Sequence, residues 1–205
     1  MAAHAGASYV VFGRTGGFSV SIDLGALNGS NGFQILGADT DDYSGRSVSS
    51  AGDVNGDGFD DVIVGSLSGD PGGRSNAGES YVIYGKASSF AASIDLAAIN
   101  GVNGFRIESI DASDNSGRSV AGAGDVNGDG FDDVIIGAFR ADPGGVDRAG
   151  ETYMVFGRAS GIPASIALSS LDGTNGFRLE AFTPWTIAAG LPRRPGTSTA
   201  MASGT

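Results

Sequence analysis

The sequence predicts an all-β protein assembled from tandem repeats, and three observations carry that prediction. The thirteen residues Ala-Gly-Asp-Val-Asn-Gly-Asp-Gly-Phe-Asp-Asp-Val-Ile at 51–63 return without insertion 72 positions later, at 123–135. The 36 Gly among 205 residues, clustered with Asp, Asn and Pro, cut the chain into short runs separated by turn chemistry. Apolar residues at 40% and aromatics at 8%, with no collagen-like triplet, supply enough core to fold. A repeat of this strength outranks chain length as a guide to architecture.

The same offset superposes Tyr9, Tyr81 and Tyr153, then Phe12-Gly13, Tyr84-Gly85 and Phe156-Gly157, then Asn31-Gly32-Phe33, Asn103-Gly104-Phe105 and Asn175-Gly176-Phe177. Four short apolar or alternating runs per unit read as strands: 46–51, 62–65, 80–84, and Phe33 or Phe105 with its neighbours. The last two flank a longer connection at 86–102, in which Ser93-Ile94-Asp95-Leu96 fits either a short extra strand or a helical turn. An amphipathic helix over 90–99 fails on apolar spacing, and the segment is too short to span a membrane.

Four antiparallel strands per unit match the blade of a β-propeller, in which neighbouring blades bury each other's faces. The fold class is therefore an incomplete β-propeller of four-stranded antiparallel blades. Residues 1–43 form a partial blade, 44–115 and 116–182 two complete ones, and 183–205 a tail outside the repeat. An open wedge of blades exposes faces and strand edges, so self-association through them is expected.

A net charge of −11 disfavours nucleic acid as a partner, because phosphate binding needs clustered Lys and Arg; cations are the natural partner instead. The absence of Cys excludes disulfides, thiolate metal sites and cysteine nucleophiles. No run of 18 apolar residues offers a membrane span, and residues 1–8 lack the basic start and apolar core of a signal peptide.

The shared run carries the chemistry. Asp53, Asn55, Asp57 and Asp61 stand at positions one, three, five and nine of a loop with Gly58 at six, and Asp125, Asn127, Asp129, Asp133 and Gly130 repeat it. Calcium takes six to eight hard oxygens, and alternate side chains plus the position-seven carbonyls of Phe59 and Phe131 can wrap one ion each. Two Ca2+ sites are expected. An EF-hand is rejected, because position twelve is Val64 or Ile136 rather than a bidentate Glu and strands replace the helices. Magnesium's stricter octahedron and zinc's preference for His and Cys disfavour both ions. A metal-free Asx-rich turn is the competing reading. Against it, three aspartates packed into nine residues repel one another unless neutralised. Asp60 and Asp132 are expected to be solvated or bonded to backbone amides, and the Phe rings to fill blade core.

Phe-Gly at a strand end, Gly-Asp-Val-Asn-Gly-Asp-Gly-Phe-Asp-Asp in the next turn, and Val-Ile-Val-Gly or Val-Ile-Ile-Gly after it resemble the FG-GAP repeat of integrin alpha-subunit propellers and their bacterial relatives. The resemblance covers 5–181. It implies a seven-bladed propeller with the calcium loop between the first two strands of a blade on its lower face. It also implies an unknown protein or glycan ligand on the opposite face. That upper face would comprise the loops 38–43, 66–78, 110–115 and 138–150, with Asp70, Arg74, Asp142, Asp147 and Arg148 as candidate contacts, although Asp-Pro-Gly-Gly at 70–73 and 142–145 also reads simply as a tight turn. Gly-Ser-Leu and Gly-Ala-Phe replace the family's Gly-Ala-Pro, and the unit is somewhat long.

After Ala181 the repeat vanishes, yet a shifted reading frame restores it. Joining each third codon base to the first two of the next lets positions 197–203 encode Asp-Val-Asn-Gly-Asp-Gly-Phe, which is 125–131 moved by 72. Trp185 and Thr186 force an Asp codon opposite Asp42 and Asp114. A frameshift near Thr183 is the expectation, with a disordered tail as its product.

The chain is read as non-enzymatic: its one His is His4, it has no Gly-x-Ser-x-Gly elbow, and Ala87 spoils a phosphate loop after Gly85-Lys86. The expected function is a calcium-binding adhesion or ligand-binding module, extracellular or cell-surface in the intact protein. The alternatives are the accessory propeller of a secreted hydrolase and a nonfunctional truncated product.

Overall fold

The computed structural model describes residues 4–181; the expectation about the 183–205 tail lies outside them. The described chain is an all-β, incomplete β-propeller with three sheets and only single turns of 3-10 helix. The partial first blade holds β1 (Ala7–Val11) and β2 (Gly32–Leu36). The second holds β3 (Ser44–Gly52), β4 (Asp61–Ser66), β5 (Glu79–Ile83) and β7 (Gly104–Glu108). The third holds β8 (Ser116–Gly124), β9 (Asp133–Ala138), β10 (Glu151–Val155) and β12 (Gly176–Glu180). Within each blade, successive strands pair antiparallel.

The ambiguous connection resolves into both alternatives at once. Residues Ser93–Asp95 form strand β6, and Leu96–Ala98 turn immediately into a 3-10 helix capped by Asp95, whose carboxylate accepts from the Ala97 amide at 2.9 Å. The equivalent strand β11 (Ser165–Ala167) precedes Leu168–Ser170. Neither strand stays in its own blade. β6 pairs parallel with β2, and β11 pairs parallel with β7, so each linker adds a strand to the outer edge of the preceding blade: a third in the partial first blade and a fifth in the second. The chain thereby covers edges that would otherwise template aggregation.

The core lies between blades rather than within them. Phe33 and Ile35 of the first blade meet Val64, Tyr81 and Ile83 of the second, with Leu96 from the linker sealing the cluster. Ile63, Val82, Phe105 and Ile107 of the second meet Val120, Val134, Ile136, Tyr153 and Val155 of the third. Strands β5 and β10 are buried along their whole length, as sheet interiors sandwiched by neighbours must be.

Candidate metal centre

Strand β3 ends at Gly52 and β4 begins at Asp61, so the loop 53–61 joins the first two strands at one end of the blade; 125–133 joins β8 to β9 in the same way. Each loop folds on its own side chains. The Asp53 carboxylate accepts from the Asp57 amide at 3.0 Å and the Gly58 amide at 2.8 Å, Asn55 Oδ1 accepts from the Asp57 amide at 3.0 Å, and Asp57 Oδ1 accepts from the Phe59 amide at 3.0 Å. The second loop repeats this: Asp125 accepts from Asp129 at 3.0 Å and Gly130 at 2.9 Å, Asn127 from Asp129 at 3.0 Å, and Asp129 from Phe131 at 3.0 Å. Such Asx turns are what short oxygen-bearing side chains make when the backbone reverses. Gly58 and Gly130 sit at φ of 89° and 92°, where a side chain would be strained.

Asp61 and Asp133 are placed differently from the other carboxylates. They open β4 and β9, are almost wholly buried, and use both oxygens as struts: Asp61 accepts from the amides of Val54 (3.0 Å) and Gly85 (2.8 Å), Asp133 from those of Val126 (2.8 Å) and Gly157 (3.0 Å). This gives the glycine of each aromatic-Gly pair a role that its recurrence in the sequence signalled without explaining. A Cβ at Gly85 would collide with the Asp60 carbonyl and Phe59, and one at Gly157 with the carbonyls of Asp132 and Val54. The strand end presses onto the loop so closely that only glycine fits.

Burial raises the Asp61 carboxyl to about 7 against the opposing pull of those two amides, and the charges of Asp57 and Asp53 push it further up. Burial likewise raises Asp133, with Asp129 and Asp125 adding to the effect.

The donor chemistry fits a hard cation. A carboxylate has about four lone-pair sites, and Asp53 and Asp61 each commit two of them to main-chain amides. Asp53, Asn55, Asp57, the Phe59 carbonyl and Asp61 would hold one ion, and Asp125, Asn127, Asp129, the Phe131 carbonyl and Asp133 another, supplying only oxygen as calcium requires. Among the described residues, no three His, Cys, Asp or Glu side chains lie close enough together to hold a metal ion, so the carboxylates of each loop would have to draw in to close on one.

Two position-eight and position-seven expectations separate here. Asp132 is bonded to a backbone amide, but across the blade junction: its Oδ2 accepts from Asp53 N–H at 2.8 Å while its own amide donates to the Asp53 carbonyl at 3.2 Å. Asp60 is exposed. The Phe rings do not fill blade core. Phe131 lies against Gly56 of the neighbouring loop, and Phe59 is 40% exposed beside the cleft formed with Phe12, Phe33 and Phe90. The ring goes to the junction because the Gly and Asp around it keep it at the loop surface.

At the opposite end, the loops 38–43, 66–78, 110–115 and 138–150 interlock. The Ser68 amide donates to the Asp42 carbonyl, Arg140 to Asp114, and the Asn115 side chain to the Leu67 carbonyl at 2.9 Å. Asp70 and Asp142 close turns by accepting from the amides of Asn76 and Arg148 at 2.6 Å, with Pro71 and Pro143 buried beside them. Arg74 reaches the Ser109 carbonyl at 3.1 Å. These three act as struts, whereas Asp147 and Arg148 are exposed.

Fold and loops together define a propeller segment whose two complete blades each bring a Gly-capped acidic turn to one end. The FG-GAP repeat family model matches residues 44–83 and 116–153. Integrin alpha pat-2 of Caenorhabditis briggsae is 32% identical over 114 residues, 52% of this chain and 8% of that protein. Integrin alpha-2 of Mus musculus is 35% identical over 94 residues, 46% of this chain and 7% of that one. The chain carries two segments that match the FG-GAP repeat, at 44–83 and 116–153, and is similar over about half its length to integrin alpha subunits; it spans less than a tenth of the length of these curated relatives.

Proposed function

We propose that the chain is a calcium-stabilised FG-GAP segment of an extracellular or cell-surface adhesion propeller, non-enzymatic, whose intact form takes a protein or glycan ligand. The observation that supports the reading is the shared set of Asx-turn bonds in the two loops, which holds Asp53, Asn55 and Asp57, and again Asp125, Asn127 and Asp129, around one backbone turn at the same end of successive blades. Extracellular location follows from availability, since loops in the 0.1–1 mM affinity range fill only where calcium is near millimolar. At such affinity, millimolar calcium stabilises each loop by roughly 0.4 to 1.4 kcal/mol. No helix among the described residues is long and apolar enough to cross a membrane.

Calorimetric titration of the full chain with calcium tests the metal. Two sites are expected, with Asp57→Asn and Asp129→Asn each removing one and calcium raising the melting temperature. An absence of both heat and thermal shift at calcium about tenfold above that range would overturn the assignment.

A further inference from the structure

The two ends of the described chain are complementary halves of a contact that the chain makes twice within itself. Where the linker of the second blade reaches back to the first, β6 lies on β2 with Ile94 opposite Ile35, and the Gln34 amide donates to the Ala92 carbonyl at 3.0 Å. The Phe90 ring stacks on Phe33 at 4.4 Å, with Phe12 beside it. Where the third blade reaches back to the second, Ile166 lies opposite Ile107 and the Arg106 amide donates to the Ala164 carbonyl at 2.9 Å. Thus covered, Ile35 and Ile107 are each 1% exposed.

Strand β12 occupies the same outer position in the third blade, and no described strand lies on it. Leu179, the counterpart of Ile35 and Ile107, is 48% exposed. The aromatic seat is already formed: Phe156 and Phe177 meet edge to face at 5.9 Å and 65°, as Phe12 and Phe33 do at 5.8 Å and 65°.

The matching donor lies 72 positions before β6. Phe18 and Ser21-Ile22-Asp23-Leu24 repeat Phe90 and Ser93-Ile94-Asp95-Leu96. The Arg14 guanidinium stands over the Phe18 ring at 5.2 Å, as the Lys86 ammonium stands over Phe90 at 4.7 Å. The donor is uncovered, however: Phe18 is 52% exposed and Leu24 42%, against 1% for Leu96 and 2% for Leu168.

We propose that residues 18–24 of one copy add in parallel to β12 of a second copy, seating Phe18 on Phe156 and Phe177 and Ile22 on Leu179. Donor and acceptor surfaces differ, so the contact is head-to-tail and propagates instead of closing as a two-fold dimer. Main-chain bonds along the edge supply attraction and the aromatic seat supplies register. Asp23 arrives opposite Glu180, where Asp95 faces Leu36 and Ala167 faces Glu108; this like-charge pair weakens the contact. None of these groups belongs to the acidic loops, so the proposal stands apart from the calcium reading.

The full chain has no Cys, so every disulfide reports an engineered pair. Ile22→Cys in one preparation and Leu179→Cys in another, mixed under mild oxidation, are expected to give mixed dimers several-fold in excess of either like dimer. Phe18→Ala in the Ile22→Cys copy should sharply reduce the yield, and Glu180→Gln alone should raise the mass seen by sedimentation at fixed concentration. Mixed dimers no commoner than like dimers, a yield indifferent to Phe18→Ala, or a strictly monomeric chain at every accessible concentration would each overturn the proposal.

Discussion

The loops 53–61 and 125–133 have one sequence and two environments. Val54 is 1% exposed and Val126 50%; the Asp53 amide is bonded to Asp132, while Asp125 is exposed. The first loop is covered by its successor: the Arg158 amide donates to the Val54 carbonyl at 2.9 Å, and Gly157 presses against it. Each acidic turn therefore has its own folding, set by local Asx bonds, and a second layer of order lent by the next blade. The two can be separated by substituting equivalent positions.

The largest difference is expected at the buried struts. Asp61→Ala leaves the Val54 and Gly85 amides without acceptors inside the junction and should cost about 3 kcal/mol. Asp133→Ala likewise leaves the buried Gly157 amide without its acceptor, but the amide of half-exposed Val126 can turn to water, so it should cost about half as much, read as denaturation midpoints at constant slope. Equal losses would mean that the neighbouring blade contributes nothing.

Val54→Ala opens a hole between blades and should cost about 2 kcal/mol, whereas Val126→Ala should stay within about 0.5 kcal/mol.

The pH dependence follows from the raised carboxyls. Asp61 lies near 7 and Asp114, raised chiefly by burial, near 6 in the folded chain, against 3.8 ordinarily. The unfolded chain gives up these protons first, so stability in chelator falls as pH climbs from about 4 to about 7. Calcium should flatten that slope, and Asp61→Asn should flatten it more than Asp133→Asn. A melting temperature that rises over this interval without calcium would contradict the burial of Asp61.

The smallest effect concerns the cross-blade bond. Asp132→Ala should cost about 1 kcal/mol and weaken calcium binding at the first loop as well as the second, while Asp60→Ala should be close to neutral. A titration in which only the second site responds to Asp132→Ala would confine that residue to its own loop.

Much of this was legible in the sequence. The strands follow from short alternating runs between Gly and Asp clusters, and the loop from oxygen side chains at odd positions around a glycine that must turn left-handed. Less legible were the roles of Gly85 and Gly157, whose recurrence marks a constraint without saying that it is a collision with a neighbouring carbonyl. Asp70 and Asp142 read as contacts or simply as tight-turn residues, and Arg74 as a contact, until their partners, Asn76, Arg148 and Ser109, are placed.

By itself the sequence determined the repeat, its strands and its oxygen-bearing turns, because strand alternation, turn chemistry and Asx bonding act over a few neighbouring residues. Only the tertiary structure decided that Ser93–Asp95 leaves its own blade to lie parallel on the previous one, and that Val54 is buried while the identical Val126 is not. Burial and edge pairing depend on which surface arrives from elsewhere in the chain, and identical local sequences cannot encode different neighbours.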